Sequence, residues 1–175
     1  APAQRARASL PAGSSSATDL LAFEREALNR GDALTAQAAA NRVVEMEPSS
    51  SEGYRLLGDS YALRNEKALA DAMWRQSLRL DERNEGTLLA LAGVALEEKR
   101  FDEALDFLRR AVEMNPRNAD RLTTLGRKAR AEGDTKMARQ VFAATARALP
   151  NEVAVLAEYG AVLFEAGDVD AALEP

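Results

Sequence analysis

Cysteine and histidine are both absent from the 175 residues. Without thiols there is neither a disulfide framework nor a thiolate site, and without imidazole the usual general base and commonest metal ligand are missing. The sequence offers no cofactor motif either, so it is read as a non-enzyme with no cofactor and no metal. Aromatic residues make up only 5% of the chain, while alanine is abundant, which favours closely packed helices over the Val, Ile and aromatic-rich segments of a sheet. A run of about 18 apolar residues, the minimum for a membrane-spanning helix, is also lacking. So is a basic stripe: the net charge is −5, with acids and bases interspersed, and nucleic acid is not an expected partner. What remains is a 46% hydrophobic, 29% charged sequence, enough to bury a core.

Residues 1–16, APAQRARASLPAGSSS, are small, polar or Pro/Gly, with little apolar surface to offset the entropy of ordering. They are expected to form a flexible leader. Arg5 and Arg7 are too few for polybasic attachment to a membrane. The first residue is Ala1 rather than methionine, which suggests a processed or trimmed chain.

From Ala17 the apolar positions recur with helical spacing, and a shift of 34 residues superposes the chain on itself without insertions. It aligns Leu20, Tyr54, Leu88, Leu122 and Leu156, and likewise Ala36, Ala70, Ala104, Ala138 and Ala172. The same shift aligns Pro48, Pro116 and Pro150, then Gly58, Gly126 and Gly160, and the dipeptides Gly31-Asp32, Gly133-Asp134 and Gly167-Asp168. Each unit is read as two helices joined by a short turn, the second stopping near the proline, with Asp32, Asp134 and Asp168 placed to cap second helices.

These residues resemble the tetratricopeptide repeat (TPR) family, whose pattern is a large residue, Leu-Gly, a tyrosine-like residue, Ala, an aromatic, Ala and Pro. Residues 119–152 supply Leu122, Leu125-Gly126, Ala129, Ala138, Phe142, Thr145 and Pro150. Residues 51–84 supply Tyr54, Leu57-Gly58, Tyr61, Ala70, Trp74 and Ser77, with Glu82 in place of the proline, and residues 85–118 supply Leu88, Leu91-Ala92, Ala95, Ala104, Leu108, Ala111 and Pro116. Residues 17–50 depart from the pattern with Glu24 where a small residue is expected and Ala40 where an aromatic is, and are expected to serve as a cap. The fifth repeat, 153–175, stops mid-helix at Pro175, and the natural chain is expected to continue. The resemblance implies an all-α, right-handed superhelical solenoid of antiparallel helix pairs over residues 17–175.

The same resemblance implies a concave groove lined by the first helices. On a helical wheel the groove positions lie away from the packing face at repeat positions 4, 7, 8 and 11. Repeat positions 2, 5, 9, 12 and 13, which the resemblance places on the groove, give Leu21, Arg25, Leu28, Arg55, Asp59, Leu89, Gly93, Leu96, Thr123, Arg127, Arg130, Ala161 and Phe164 as the partner-binding groove, with Glu52, Asp120 and Ala157 beside them. An apolar middle between arginines suits an amphipathic segment with acidic flanks, and Gly93 leaves room for a ligand side chain. The alternative for the arginines is ordinary ion pairing with Glu52, Asp59 or Asp120, and for Leu89, Leu96 and Phe164 it is contact with a neighbouring helix. The Lys and Asn pair with which some TPR proteins grip a terminal carboxylate is not matched, since Leu21, Arg25, Arg55 and Asp59 hold those positions. Close acid pairs such as Glu97-Glu98 and Asp102-Glu103 sit at helix ends and turns, where they complement helix dipoles rather than face each other across a cleft.

The expected function is therefore a protein-protein interaction scaffold. Its Arg-rich, Ala-rich usage and its leader resemble the bacterial TPR lipoproteins of pilus or secretion-system assembly, the tight-adherence type included, which favours the cell envelope over the cytoplasm. The lipid-bearing cysteine of such proteins is not among these residues. A homo-oligomeric structural protein, and the TPR arm of a larger polysaccharide export or synthesis protein, stand as alternatives. Because Ala138 is expected in a close helix contact, Ala138→Asp should lower stability by roughly 3 kcal/mol or more, through burial of an unpaired charge. Chemical unfolding of the variant checks this, and a loss below 1 kcal/mol would place Ala138 outside the core.

Overall fold

A computed structural model describes residues 16–167. Most of the expected leader, the capping role of Asp168 and the second helix carrying Ala172 lie outside these residues. Among the described residues there are nine α-helices and no strand: α1 (Ala17–Asn29), α2 (Ala33–Met46), α3 (Ser51–Leu63), α4 (Lys67–Leu80), α5 (Glu85–Glu97), α6 (Phe101–Met114), α7 (Ala119–Ala131), α8 (Thr135–Ala148) and α9 (Val153–Glu165), with a 3-10 turn at Pro116–Asn118. The odd-numbered helices start at Ala17, Ser51, Glu85, Ala119 and Val153, a spacing of 34 residues.

Local chemistry fixes the ends of these helices. Asp32 Oδ1 accepts from the Thr35 amide at 3.2 Å and Asp134 Oδ1 from the Met137 amide at 2.9 Å, capping α2 and α8. Ser16 and Ser50 cap α1 and α3 in the same way, accepting from Asp19 N and Gly53 N. The turns between paired helices each use one residue with positive φ, Gly31 (74°), Asn65 (60°), Lys99 (56°) and Gly133 (80°), and Gly167 (77°) follows α9 in the same conformation. Reversing the chain in so few residues demands that left-handed conformation, which Asn tolerates and Lys99 adopts against its steric preference.

The chain divides into two compact units, Ala1–Ala90 and Leu91–Pro175. In the first, α1 packs on α2 and α3, α2 on α3, and α3 on α4. The core holds Leu20, Ala27, Ala36, Ala39, Ala40, Val43, Leu56, Ala70 and Trp74. A polar seam joins the end of α4 to the start of α5. Ser77 Oγ lies 3.0 Å from Ser51 Oγ and 2.7 Å from Thr87 Oγ1, and Asn84 Nδ2 donates to Ser51 Oγ at 2.9 Å. Asn84 Oδ1 also accepts from the Thr87 amide at 3.0 Å, so its side chain organises a turn that lacks proline. In the second unit α6 packs on α7 and α8, α7 on α8, and α8 on α9, around Leu108, Leu122, Leu125, Ala129, Ala138, Val141 and a fully buried Phe142.

Glycine permits the closest helix approach in each unit. A Cβ at Gly58 would lie 2.4 Å from Trp74 Cδ1, and one at Gly126 would lie 2.8 Å from Phe142 Cε2. The Trp74 indole has no freedom to retreat, since its Nε1 donates to Asp59 Oδ1 at 2.9 Å and to the Arg55 carbonyl at 3.1 Å. At Gly93, by contrast, an added Cβ would meet nothing within 4 Å. Gly58→Ala should therefore cost about 1–2 kcal/mol, overpacking outweighing the gain in helix propensity. Gly93→Ala should gain up to about 1 kcal/mol from propensity alone. Urea unfolding of both variants checks the opposite signs, and the same sign in both would refute the steric assignment.

Candidate partner-binding site

In the first unit, α1 and α3 present an open depression of about 460 Å³ lined by Arg25, Leu28, Asn29, Arg55, Leu56, Asp59, Ala62 and Leu63. Arg25, Leu28, Arg55 and Asp59 are residues expected in the groove from sequence, and the structure brings them together here. Asn29, Ala62 and Leu63 were not expected among them, although they occupy repeat positions 12 and 13, which the helical wheel assigns to the same side. Leu63 is 49% exposed and supplies apolar surface at the rim. Leu21 is only partly accessible, packed against the small cluster of Ala17, Leu20 and Val43, so it is wall rather than open surface. Leu89 is half-buried.

The charges of this depression are neutralised within the chain. Arg55 donates from Nε and Nη2 to Glu52 at 2.8 and 2.7 Å and from Nη1 to Asp59 at 2.5 Å. Its stem runs past Gly86, where a Cβ would lie 2.7 Å from Arg55 Cδ, and its side chain keeps 17% of its exposure. Arg25 adds a bond to Glu52 at 2.6 Å. Hydrogen bonds from Arg55, and then from Arg25, outweigh burial and hold the Glu52 carboxyl down at about 2. Burial raises the Asp59 carboxyl despite the opposing Arg55 charge and the Trp74 hydrogen bond.

Glu24 lies beneath this network. It is fully buried, and neither carboxyl oxygen has a hydrogen-bond partner within the structure. Burial, reinforced by the Asp59 and Glu52 charges and only partly countered by Arg55 and Arg25, pushes its carboxyl up to about 9. The group is thus a neutral acid at pH 7. Its repeat equivalents are Gly58 and Gly126, and the equivalents of its sequence partner Ala40 are Trp74 and Phe142. Large and small have changed places in the first repeat: a buried acid stands on α1 where glycine stands in those repeats, and a buried alanine stands on α2 where an aromatic stands. Sequence reading registered both departures without pairing them.

In the second unit, Gly93, Leu96, Thr123 and Ala161 are half-buried, Arg127 and Arg130 are exposed, and Phe164 is 67% exposed. Arg127 and Arg130 reach across to α9: Arg127 Nε donates to Glu158 at 2.7 Å and Arg130 Nε to Glu165 at 2.9 Å. The expectation of pairing with Asp120 gives way to these partners, because α7 and α9 present their free faces side by side. Among the described residues no group of acidic side chains is arranged to hold a metal ion, and no helix is long and apolar enough to cross a membrane.

The tetratricopeptide repeat model matches residues 22–73, 68–119 and 123–175. The chain belongs to the tetratricopeptide repeat family, whose repeats form helical scaffolds for protein-protein interaction. It is similar to the type IV pilus assembly protein PilF of Pseudomonas aeruginosa, at 26% identity over 140 residues, which is 79% of this chain and 56% of that protein. It is also similar to cellulose synthase operon protein C of Xanthomonas axonopodis pv. citri, at 32% identity over 149 residues, 79% of this chain and 9% of that protein. The chain thus spans little more than half the length of the first relative and a small part of the second. Among solved structures, YrrB, described as a TPR protein with an unusual peptide-binding site, shares the fold with a TM-score of 0.65 at 21% identity, over 98% of this chain and 88% of that one.

The buried acid makes stability depend on pH. An unfolded Glu24 titrates near 4.5 and the folded one near 9, so the folded chain holds the extra proton between those values. Its stabilising share is complete below 4.5 and is lost as pH rises through 9. At pH 7 the deficit is about 3 kcal/mol. Glu24→Gln keeps the shape without the charge, and should be more stable than the parent by about 4 kcal/mol at pH 8 but within about 1 kcal/mol of it at pH 5. Urea unfolding at the two pH values measures the difference, and equal slopes in parent and variant would exclude Glu24 as its source.

Proposed function

We propose that the chain is a non-catalytic adaptor in the assembly of a bacterial envelope structure, of the pilus or secretion type, and that its first-helix face takes a segment of a partner polypeptide. The observation that carries this reading is the open depression on α1 and α3, where apolar Leu28, Ala62 and Leu63 stand beside Arg25 and Asp59. On the second unit, Leu96, the open space at Gly93 and the exposed ring of Phe164 offer apolar contact on the same class of helix. An amphipathic segment with acidic flanks suits these surfaces. Its acids exchange with Glu158 and Glu165 at Arg127 and Arg130, because exposed ion pairs contribute little and are displaced at small cost. Arg55 acts differently, as a buried brace that holds Glu52 and Asp59 in place. The likeness to PilF supports the assembly role and the envelope location. A second reading, the TPR arm of a larger polysaccharide synthesis protein, is supported by the likeness to cellulose synthase operon protein C.

The test is capture of partners from an envelope extract by the parent chain and by a variant carrying Arg25→Glu, Arg127→Glu and Phe164→Ala, three exposed positions chosen to leave the fold intact. Partner recovery should fall at least about tenfold, the effect of losing roughly 1.4 kcal/mol of contact. Equal recovery by a variant of unchanged helicity would overturn the groove assignment.

A further inference from the structure

A second depression, of about 510 Å³, lies on the opposite class of helix in the second unit. It forms where the last turns of α6 and α8 meet the start of α7. Its floor is apolar, made by Val112, Leu122 and Ala144, and its walls carry Arg109, Arg147 and Glu113. The size falls within the range of about 300–1,000 Å³ typical of ligand clefts.

The arginines set this place apart. Each of the four groove arginines is paired with a carboxylate of its own chain. Arg109 and Arg147 are exposed and, among the described residues, have no carboxylate partner. Arg147 stands in the last turn of α8, where its charge complements the helix dipole but leaves its donors facing water. With Glu113 counted, the lining carries a net charge of +1 (two cations, one anion) within a chain of net charge −5. The local sign is opposite to the global one and sits over an apolar floor.

We propose that this depression is a second docking site, on the second-helix side, for an acidic peptide segment anchored by an aliphatic side chain. The aliphatic group enters between Val112, Leu122 and Ala144, and acidic residues on either side of it take the donors of Arg109 and Arg147. A bare anion does not suit the site, because exposed arginines alone hold a charge weakly and the apolar floor gives an ion nothing. Nor does a purely apolar segment, which leaves both guanidinium groups beside it without an acceptor. The site does not depend on the groove and uses none of its residues.

The probe is a fluorescein-labelled peptide, Gly-Asp-Asp-Leu-Leu-Asp-Asp-Gly, followed by fluorescence anisotropy against the whole chain. Binding should weaken about tenfold in the Arg109→Ala/Arg147→Ala variant, the sum of two exposed charge contacts. It should weaken similarly when serine replaces both leucines of the peptide. The same comparisons are made in the Arg25→Glu/Arg127→Glu/Phe164→Ala background, in which the groove no longer takes an acidic segment; binding should persist there, which separates this site from the groove. Undiminished binding to the double variant overturns the proposal, as does equal binding of the serine peptide, loss of binding in the groove-variant background, or no binding to the parent chain. Should the double alanine variant lose helicity, the milder pair Arg109→Gln and Arg147→Gln carries the same test.

Discussion

Two antiparallel helices pack at the closest distance only where one of them lacks a side chain. In this chain that contact is made by Gly58 under the Trp74 indole and by Gly126 under the Phe142 ring, at separations that leave no space for a single methyl group. The rest of each pair follows from it. Alanines at 36, 70, 104 and 138 are buried to 1% exposure or less, and leucines fill the sides. Because the contact occupies one face of each first helix, the opposite face is left without a neighbour in its own pair.

The first repeat satisfies the same volume requirement by reversing the partners, with Glu24 where glycine belongs and Ala40 where the aromatic belongs. The cost is electrostatic rather than steric, since a carboxyl in that volume keeps its proton at neutral pH. Of the surrounding charges, Arg55 and Arg25 oppose this effect while Asp59 and Glu52 add to it. Arg55 is bonded to Glu52 and Asp59, and Trp74 holds Asp59 from the other side. A single network therefore ties the aromatic wedge of the next repeat to the depression, and the buried acid feels its charges without being bonded to it.

That network also changes the meaning of charge on the two sides of the helices. Arginines on the first-helix face are largely satisfied by neighbouring acids, so the recognition proposed for that face rests on apolar surface and on exchange of its most exposed ion pairs. Arg109 of α6 and Arg147 in the last turn of α8 are bonded to no carboxylate among the described residues, and the second site proposed there rests on that charge. Counting arginines along the sequence does not separate the two groups, because ion pairing across repeats depends on residues 27 to 35 positions away, as in Arg25 with Glu52 and Arg130 with Glu165.

The sequence by itself determined the helical repeat, its 34-residue period and the helix caps, because these rest on interactions within a few residues: helical periodicity, Asp32 and Asp134 at N-caps, and glycine in the left-handed turns. It also marked Arg25, Arg55 and Asp59 as sharing a side with Leu28, since one helical wheel decides that. It did not tell which arginines would be engaged, that Leu21 would be wall, that Glu24 and Ala40 had exchanged volumes, or that Asn84 would replace the missing proline as organiser of its turn. Those outcomes are fixed by contacts between different helices. Only the packed structure supplies the distances and the burial on which ion pairing, steric fit and the proton of Glu24 depend.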